Sequence, residues 1–167
     1  MTTGLIIRPA TWPQDEQAAH FLLRNYRDFL LNNPAGPVEI CLAGYNQQLA
    51  ELPITFCQPQ STLLLAFHQQ EPAGCVAIHQ RADRQNAWEL KRLWTEPTAR
   101  GIGLGRKLMQ AAIDHASQHG ADTVLLDTVA TAMPDAVRLY TSMGFEVTER
   151  HNNNPVPGLT YYQRRLR

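Results

Sequence analysis

An α/β fold with one mixed sheet of about seven strands and about four flanking helices is what this sequence predicts, on three observations. Segments with an apolar period of two and segments with a helical period follow one another in the order β-α-α-β-β-β-α-β-α-β-β. A glycine-laced run, Arg100-Gly101-Ile102-Gly103-Leu104-Gly105, joins a strand pattern directly to a helix pattern. The chain of 167 residues is long enough to bury a core, and no linker, repeat or low-complexity tract divides it, so residues 1–167 are expected to form one domain.

Leu5, Ile6, Ile7 and Arg8 read as a first strand closed by Pro9. Over residues 14–31, Ala18, Ala19, Leu22, Leu23, Tyr26, Phe29 and Leu30 recur at helical spacing, and Asn32-Asn33-Pro34 stops the pattern. A short helix is expected over residues 45–52, broken by Pro53. Residues 62–67 and 73–80 read as two strands of a hairpin, turning through Gln69-Gln70-Glu71-Pro72. Residues 89–95 alternate, which places Leu90, Arg92 and Trp94 on one face and Glu89, Lys91, Leu93 and Thr95 on the other. Behind the glycine run, Leu108, Met109, Ala112, Ile113 and Ala116 form a helical stripe that Gly120 ends. Residues 123–129 form another strand, and residues 133–143 a helix with Pro134 in its first turn and Gly144 just past its end. Residues 145–149 and 159–165 are two closing strands around an Asn- and Pro-containing loop.

Composition narrows the function. Fifteen basic and fifteen acidic residues leave no net charge, which argues against a nucleic-acid partner, whose binding needs a basic footprint. No apolar run is long enough to span a bilayer, and residues 1–4 lead into a strand pattern instead of a basic and apolar leader. Cys41, Cys57 and Cys75 lack metal-ligand spacing, so no metal is expected; they read as buried, reduced thiols of a cytoplasmic protein.

The glycine run is the informative stretch. Glycines at alternate positions allow a tight turn with no Cβ between backbone and ligand. The helix start behind them offers unpaired N–H groups and the positive end of the macrodipole, which suits a phosphate. Three readings follow: a tight connection without a ligand, a dinucleotide fingerprint with Asp127 as its acidic residue, or a site for the pyrophosphate of coenzyme A. The Arg100 that leads the glycines, and the site's place in the second half of the chain, weaken the dinucleotide reading.

Residues 93–105, ending in Arg100-Gly101-Ile102-Gly103-Leu104-Gly105, resemble the Arg/Gln-x-x-Gly-x-Gly/Ala pyrophosphate motif of the GNAT superfamily of acetyl-CoA-dependent N-acyltransferases. Ala136-Val137-Arg138-Leu139-Tyr140-Thr141-Ser142-Met143-Gly144-Phe145 resembles that family's Ala-x-x-Leu-Tyr-x-x-x-Gly-Phe element, in the right order and at the usual separation. The resemblance implies a GNAT fold whose strands ending near Thr95 and near Asp127 splay apart around the pantetheine arm of acetyl-CoA. It also implies that the backbone of Leu93, Trp94 and Thr95 pairs with that arm, one N–H facing the thioester oxygen. The N–H groups of Gly101, Ile102, Gly103, Leu104 and Gly105 would hold the phosphates, with Arg100 and Arg106 adding charge. Ile7-Arg8-Pro9-Ala10-Thr11 matches the family's opening more loosely. The region between the first two strands, with Tyr26, Phe29 and Tyr45, is where acceptor surface varies, and the loop over residues 151–158 with Tyr161-Tyr162 is expected to rim the acceptor side.

Transfer to an amine sets chemical demands. An alkyl ammonium, with a pKa of about 10.4, must lose a proton, and a leaving thiolate, with a pKa of about 8.5, benefits from a proton donor. Tyr140, at the tyrosine of the family element, is the expected acid. Glu89 is the candidate base through a water, with His79 on the neighbouring strand as the alternative; a Glu89 merely salt-bridged to Lys91 or Arg92 is the competing structural role. Where many members carry Asn, this chain has Met133, and Thr128 or Asp135 is left to stand in. No Ser or Cys lies in a nucleophile-activating motif, so direct attack in a ternary complex is expected. The leading function is therefore acetyl transfer to a small-molecule or peptide amine, with a homodimer compatible. The competing functions are an acyl-CoA-binding regulatory or sensor module and a dinucleotide oxidoreductase.

Overall fold

The structure, a computed structural model, describes residues 4–38 and 42–167; the expectations for residues 1–3 and for Cys41 lie outside the described residues. The element order is β1 (Leu5–Pro9), α1 (Glu16–Leu31), α2 (Leu42–Ala50), α3 (Leu52–Thr55), β2 (Ser61–His68), β3 (Glu71–Gln80), β4 (Ala87–Thr95), a 3-10 turn (Pro97–Ala99), α4 (Leu104–Gln118), β5 (Thr123–Val129), α5 (Pro134–Ser142), β6 (Glu146–Thr148) and β7 (Leu159–Arg165). One seven-stranded sheet runs in the order β1-β2-β3-β4-β5-β7-β6, antiparallel throughout except for the β4–β5 pair.

The sheet has a core on each face. Trp88, Leu90, Val76, Ile78, Val124 and Leu126 pack under α4 and α5. On the other face Leu63, Leu65, Cys75 and Ala77 meet α1, α2 and α3 through Leu22, Leu23, Leu49 and Leu52. The apolar stripes expected of the long helices are the ones buried, Leu22, Leu23 and Leu30 on α1 and Leu108, Met109, Ala112, Ile113 and Ala116 on α4.

Several local expectations shift. Pro53 does not end the helical region: it sits in the first turn of α3, where its missing N–H has no partner to lose. The β2–β3 turn narrows to Gln69 and Gln70, both at positive φ, while Glu71 and Pro72 pair with His68 and Phe67. Pro9 is the last paired residue of β1, an edge strand that tolerates it. Cys57 is exposed; among the described residues only Cys75 fits the expected buried thiol, and burial pushes it up to about 12.

The consequential correction is in β4. Ala77 pairs with Lys91 but Cys75 pairs with Trp94, so the ladder gains a residue, and Arg92 takes a positive φ of 59°. This β-bulge swaps the faces beyond it. Leu93 therefore joins Leu90 against the α4–α5 core, and Trp94 turns to the opposite face against Tyr26 and Phe29. Glu89 does not share a face with Leu93, as unbroken alternation requires. Beside the bulge, a Cβ on Gly74 would lie 2.7 Å from the Trp94 carbonyl oxygen and 2.9 Å from Leu108, so this close approach of β3, β4 and α4 requires glycine.

The start of α1 carries an acid-sensitive clamp. Asp15 accepts hydrogen bonds from Arg8 at 2.6 and 3.1 Å and from the Thr11 N–H at 2.7 Å, and Arg8 above all lowers its carboxyl to about 2. The unfolded chain binds a proton at Asp15 first as pH falls, so this contribution is complete above about pH 4 and is lost as pH falls through about 2. Discounted for the half-exposed Arg8, the contribution is about 1–2 kcal/mol. Urea unfolding at pH 5 and pH 2 is expected to lose that much more stability in the wild type than in Asp15→Asn.

Candidate active site

The pairing between β4 and β5 runs from Ala87 with Thr123 to Glu89 with Leu125 and goes no further. Past that point the strands separate, and the β5-facing backbone of residues 90–95 has no partner from β5. A cavity of about 50 Å³ lies in the gap, with Leu93, Met133, Thr128 and Tyr140 among its walls. It continues toward α1 and α2 as a cavity of about 290 Å³.

The glycine run follows the end of β4, and a Cβ on Gly105 would meet Leu139 of α5 and Thr95 of β4. Gly101 and Gly103 adopt φ of 85° and 72°, open space lies where their Cβ atoms would project, and Gly103 is the N-cap of α4. No side chain caps that helix, and the first N–H to find an intrahelical acceptor is that of Lys107, to Gly103. The N–H groups of Leu104, Gly105 and Arg106 are left facing out of the helix start, which suits an anion. Ile102 is exposed and Leu104 buried, so only the latter anchors the run to the core. Arg100 lies over the Trp94 ring at 5.5 Å, and Arg106 donates to Ser142 Oγ at 2.6 Å; both are exposed cations.

Tyr140 projects from α5 into the gap, its ring held near Phe145 and Tyr162. Its hydroxyl has no hydrogen-bond partner among the described residues. Burial, followed by Tyr26, Asp127 and Tyr162, pushes the phenol well above its usual range, so it keeps its proton at neutral pH. Tyr26, pushed up to about 12 mainly by burial, lines both cavities. Of the two residues left to stand in for the missing Asn, Thr128 lines the gap, whereas Asp135 is turned to solvent and paired with Arg138.

Glu89 is 1% exposed and lies beside two cations, Arg81 Nη1 at 2.5 Å and Lys91 Nζ at 3.4 Å, with His79 Nε2 at 3.8 Å and Asn152 donating at 3.2 Å. Burial alone would raise its carboxyl, but Lys91, Arg81 and His79 outweigh that and lower it. Burial lowers His79, which is neutral at pH 7. The expected Lys91 contact is present; the expected Arg92 contact is not, because the bulge carries Arg92 over the Tyr45 ring at 4.1 Å. Glu89 and His79 line neither of the two cavities above but a neighbouring one, shared with Arg81 and Asn152, which periodicity did not single out. Arg81 bridges Glu89, Asp83 and the His151 carbonyl, and Asn152 joins Glu89 to Asp127, donating to the latter at 2.6 Å. The one acidic residue of β5 was the visible signal for Asp127. Of the segment expected to rim the acceptor side, Asn154 and Val156 line the larger cavity, whereas Tyr161 and Tyr162 are buried and line neither cavity.

An uncapped glycine-led helix start beside a strand gap with a buried phenol is the arrangement of an acyltransferase that uses a nucleotide thioester. Residues 12–145 match the sequence profile of the Acetyltransferase (GNAT) family, and this chain belongs to that family. It is similar to an uncharacterized N-acetyltransferase of Schizosaccharomyces pombe, 34% identical over 95% of this chain and 93% of the relative. Among solved structures it resembles an acetyltransferase of Streptococcus agalactiae, with a TM-score of 0.79, 20% identity and coverage of 98% and 99% of the two chains. It also resembles the PaiA N-acetyltransferase of Thermoplasma acidophilum in complex with coenzyme A, with a TM-score of 0.73, 15% identity and coverage of 96% and 98%. At such identities the structures establish the fold. Among the described residues no helix is long and apolar enough to cross a membrane.

Proposed function

We propose that this chain, acting as one domain, transfers an acetyl group from acetyl-CoA to a primary amine by direct attack in a ternary complex. One observation carries the reading: the Tyr140 side chain and the β4 edge left without a β5 partner face the same gap, and the uncapped start of α4 lies against the end of β4 and α5, where a Cβ on Gly105 would meet Thr95 and Leu139. The N–H groups from Gly101 to Arg106, with the Arg100 and Arg106 side chains, would hold the pyrophosphate. The main chain of Leu93, Trp94 and Thr95 would pair with the pantetheine amides, and Thr128 would offer a hydroxyl where Met133 offers none. Acetyl-CoA supplies an activated acyl carbonyl and a sulfur leaving group.

The remaining work falls to side chains. A main-chain N–H in the 93–95 segment stabilises charge on the carbonyl oxygen. Glu89, ionised at neutral pH, accepts the amine's proton through a water, with neutral His79 beside it. As the C–N bond forms and the C–S bond breaks, the sulfur takes the electron pair, and Tyr140 donates its hydroxyl proton toward it. The proton lost by the amine and the one gained by sulfur balance, and Tyr140 is restored from solvent. The testing experiment is thiol release from acetyl-CoA with a panel of amines, run beside calorimetric titration of coenzyme A. Amine-dependent release is expected; tight coenzyme A binding with no release from any amine would instead support a sensor or regulatory module.

A further inference from the structure

The larger cavity has a cation and an anion in its lining, Arg92 from β4 and Asp127 from β5. Arg92 occupies the β4 bulge in a left-handed conformation that costs a non-glycine residue on the order of 1 kcal/mol and that the surrounding structure must hold in place. Its guanidinium stacks on Tyr45 at 4.1 Å, and Tyr45 is itself fixed, 5% exposed with its hydroxyl donating to the Leu23 carbonyl at 2.6 Å. The other cations of this region have acidic partners: Arg81 holds Asp83 and Glu89, and Lys91 holds Glu89. Arg92 has no carboxylate partner among the described residues. Beyond its contact with the Tyr45 side chain, a half-buried guanidinium without a carboxylate partner is suited to a bidentate carboxylate.

Asp127 is the carboxylate that faces the same space. Both amides that reach it, from Asn152 and Asn154, donate to Oδ2, which leaves Oδ1 without a donor among the described residues. A cavity of about 290 Å³ is small for a ligand site, and Arg92 and Lys91 on its wall disfavour a polycationic acceptor.

We propose that the acceptor is an amine that also carries a carboxylate, an α-amino acid or close analogue, with Arg92 holding the carboxylate and Asp127 the ammonium. The proposal rests on the transferase reading of the cleft, but its test does not need turnover. Each standard L-α-amino acid and its carboxamide are titrated into the protein saturated with coenzyme A, and thiol release with the same compounds is measured separately. The best amino acid is expected to bind about tenfold or more tightly than its amide, and Arg92→Gln to remove that difference while amide binding stays unchanged. Arg92→Lys is expected to restore part of it. Equal binding of acid and amide, no binding of either, or an equal loss of both in Arg92→Gln would overturn the proposal. A carboxylate preference that persists with no thiol release would overturn the transferase reading and leave the carboxylate site standing.

Discussion

Tyr140→Phe is expected to lower kcat by roughly two orders of magnitude, the usual contribution of a positioned proton donor, with coenzyme A affinity and the urea midpoint unchanged. Stability is spared because the ring keeps its packing against Phe145 and Tyr162, and because the hydroxyl has no protein partner whose loss would orphan a buried group. The effect belongs in kcat since the hydroxyl's task arises as sulfur gains charge, not when the thioester binds. Tyr26→Phe is the control, a second, half-buried phenol on the same walls. Stopped-flow thiol release and calorimetry check the pair. An unchanged kcat in Tyr140→Phe, or an equal loss in the Tyr26 control, would remove Tyr140 from its assigned role.

Glu89→Ala is expected to cost about 3–5 kcal/mol, because it removes the carboxylate partner of Lys91 and the buried partner of Arg81 and leaves a vacancy beside His79. Arg81 keeps Asp83 and the His151 carbonyl, which places the loss toward the lower end of that range. Glu89→Gln separates structure from chemistry. It preserves shape and the bond from Arg81, so it is expected to lose less stability, while kcat falls roughly 100-fold if the carboxylate receives the amine's proton. Chemical denaturation reads the first effect and single-turnover rates the second. A destabilised Glu89→Gln with wild-type kcat would confine Glu89 to holding the two β-strands and the loop over residues 151–158 together.

Much of this molecule was legible before its fold. Residues 100–105 and Tyr140 carry their meaning locally: glycines that open φ and a helix start that follows them need only neighbours in the chain. The same holds for the stripes of α1 and α4, whose periods match the surfaces they bury. Glu89 was visible as a candidate, but its partners were not. Arg81 lies on a polar loop, and Asn152 is separated from Glu89 by 63 positions. No spacing rule joins residues brought together by a sheet in which β5 pairs with both β4 and β7.

The bulge in β4 marks the boundary most clearly. Alternation assigns Arg92 and Trp94 to one face with Leu90, and a single extra residue opposite Val76 reverses that assignment for everything beyond it. The chain alone determined its family, its order of strands and helices apart from α3, and the glycine-led start of α4, because each is encoded in contiguous residues. Which way Arg92 points, what surrounds Glu89 and how Asp127 meets the cleft were decided only in three dimensions. Strand register and loop closure depend on contacts between distant segments, whose energies no local pattern contains.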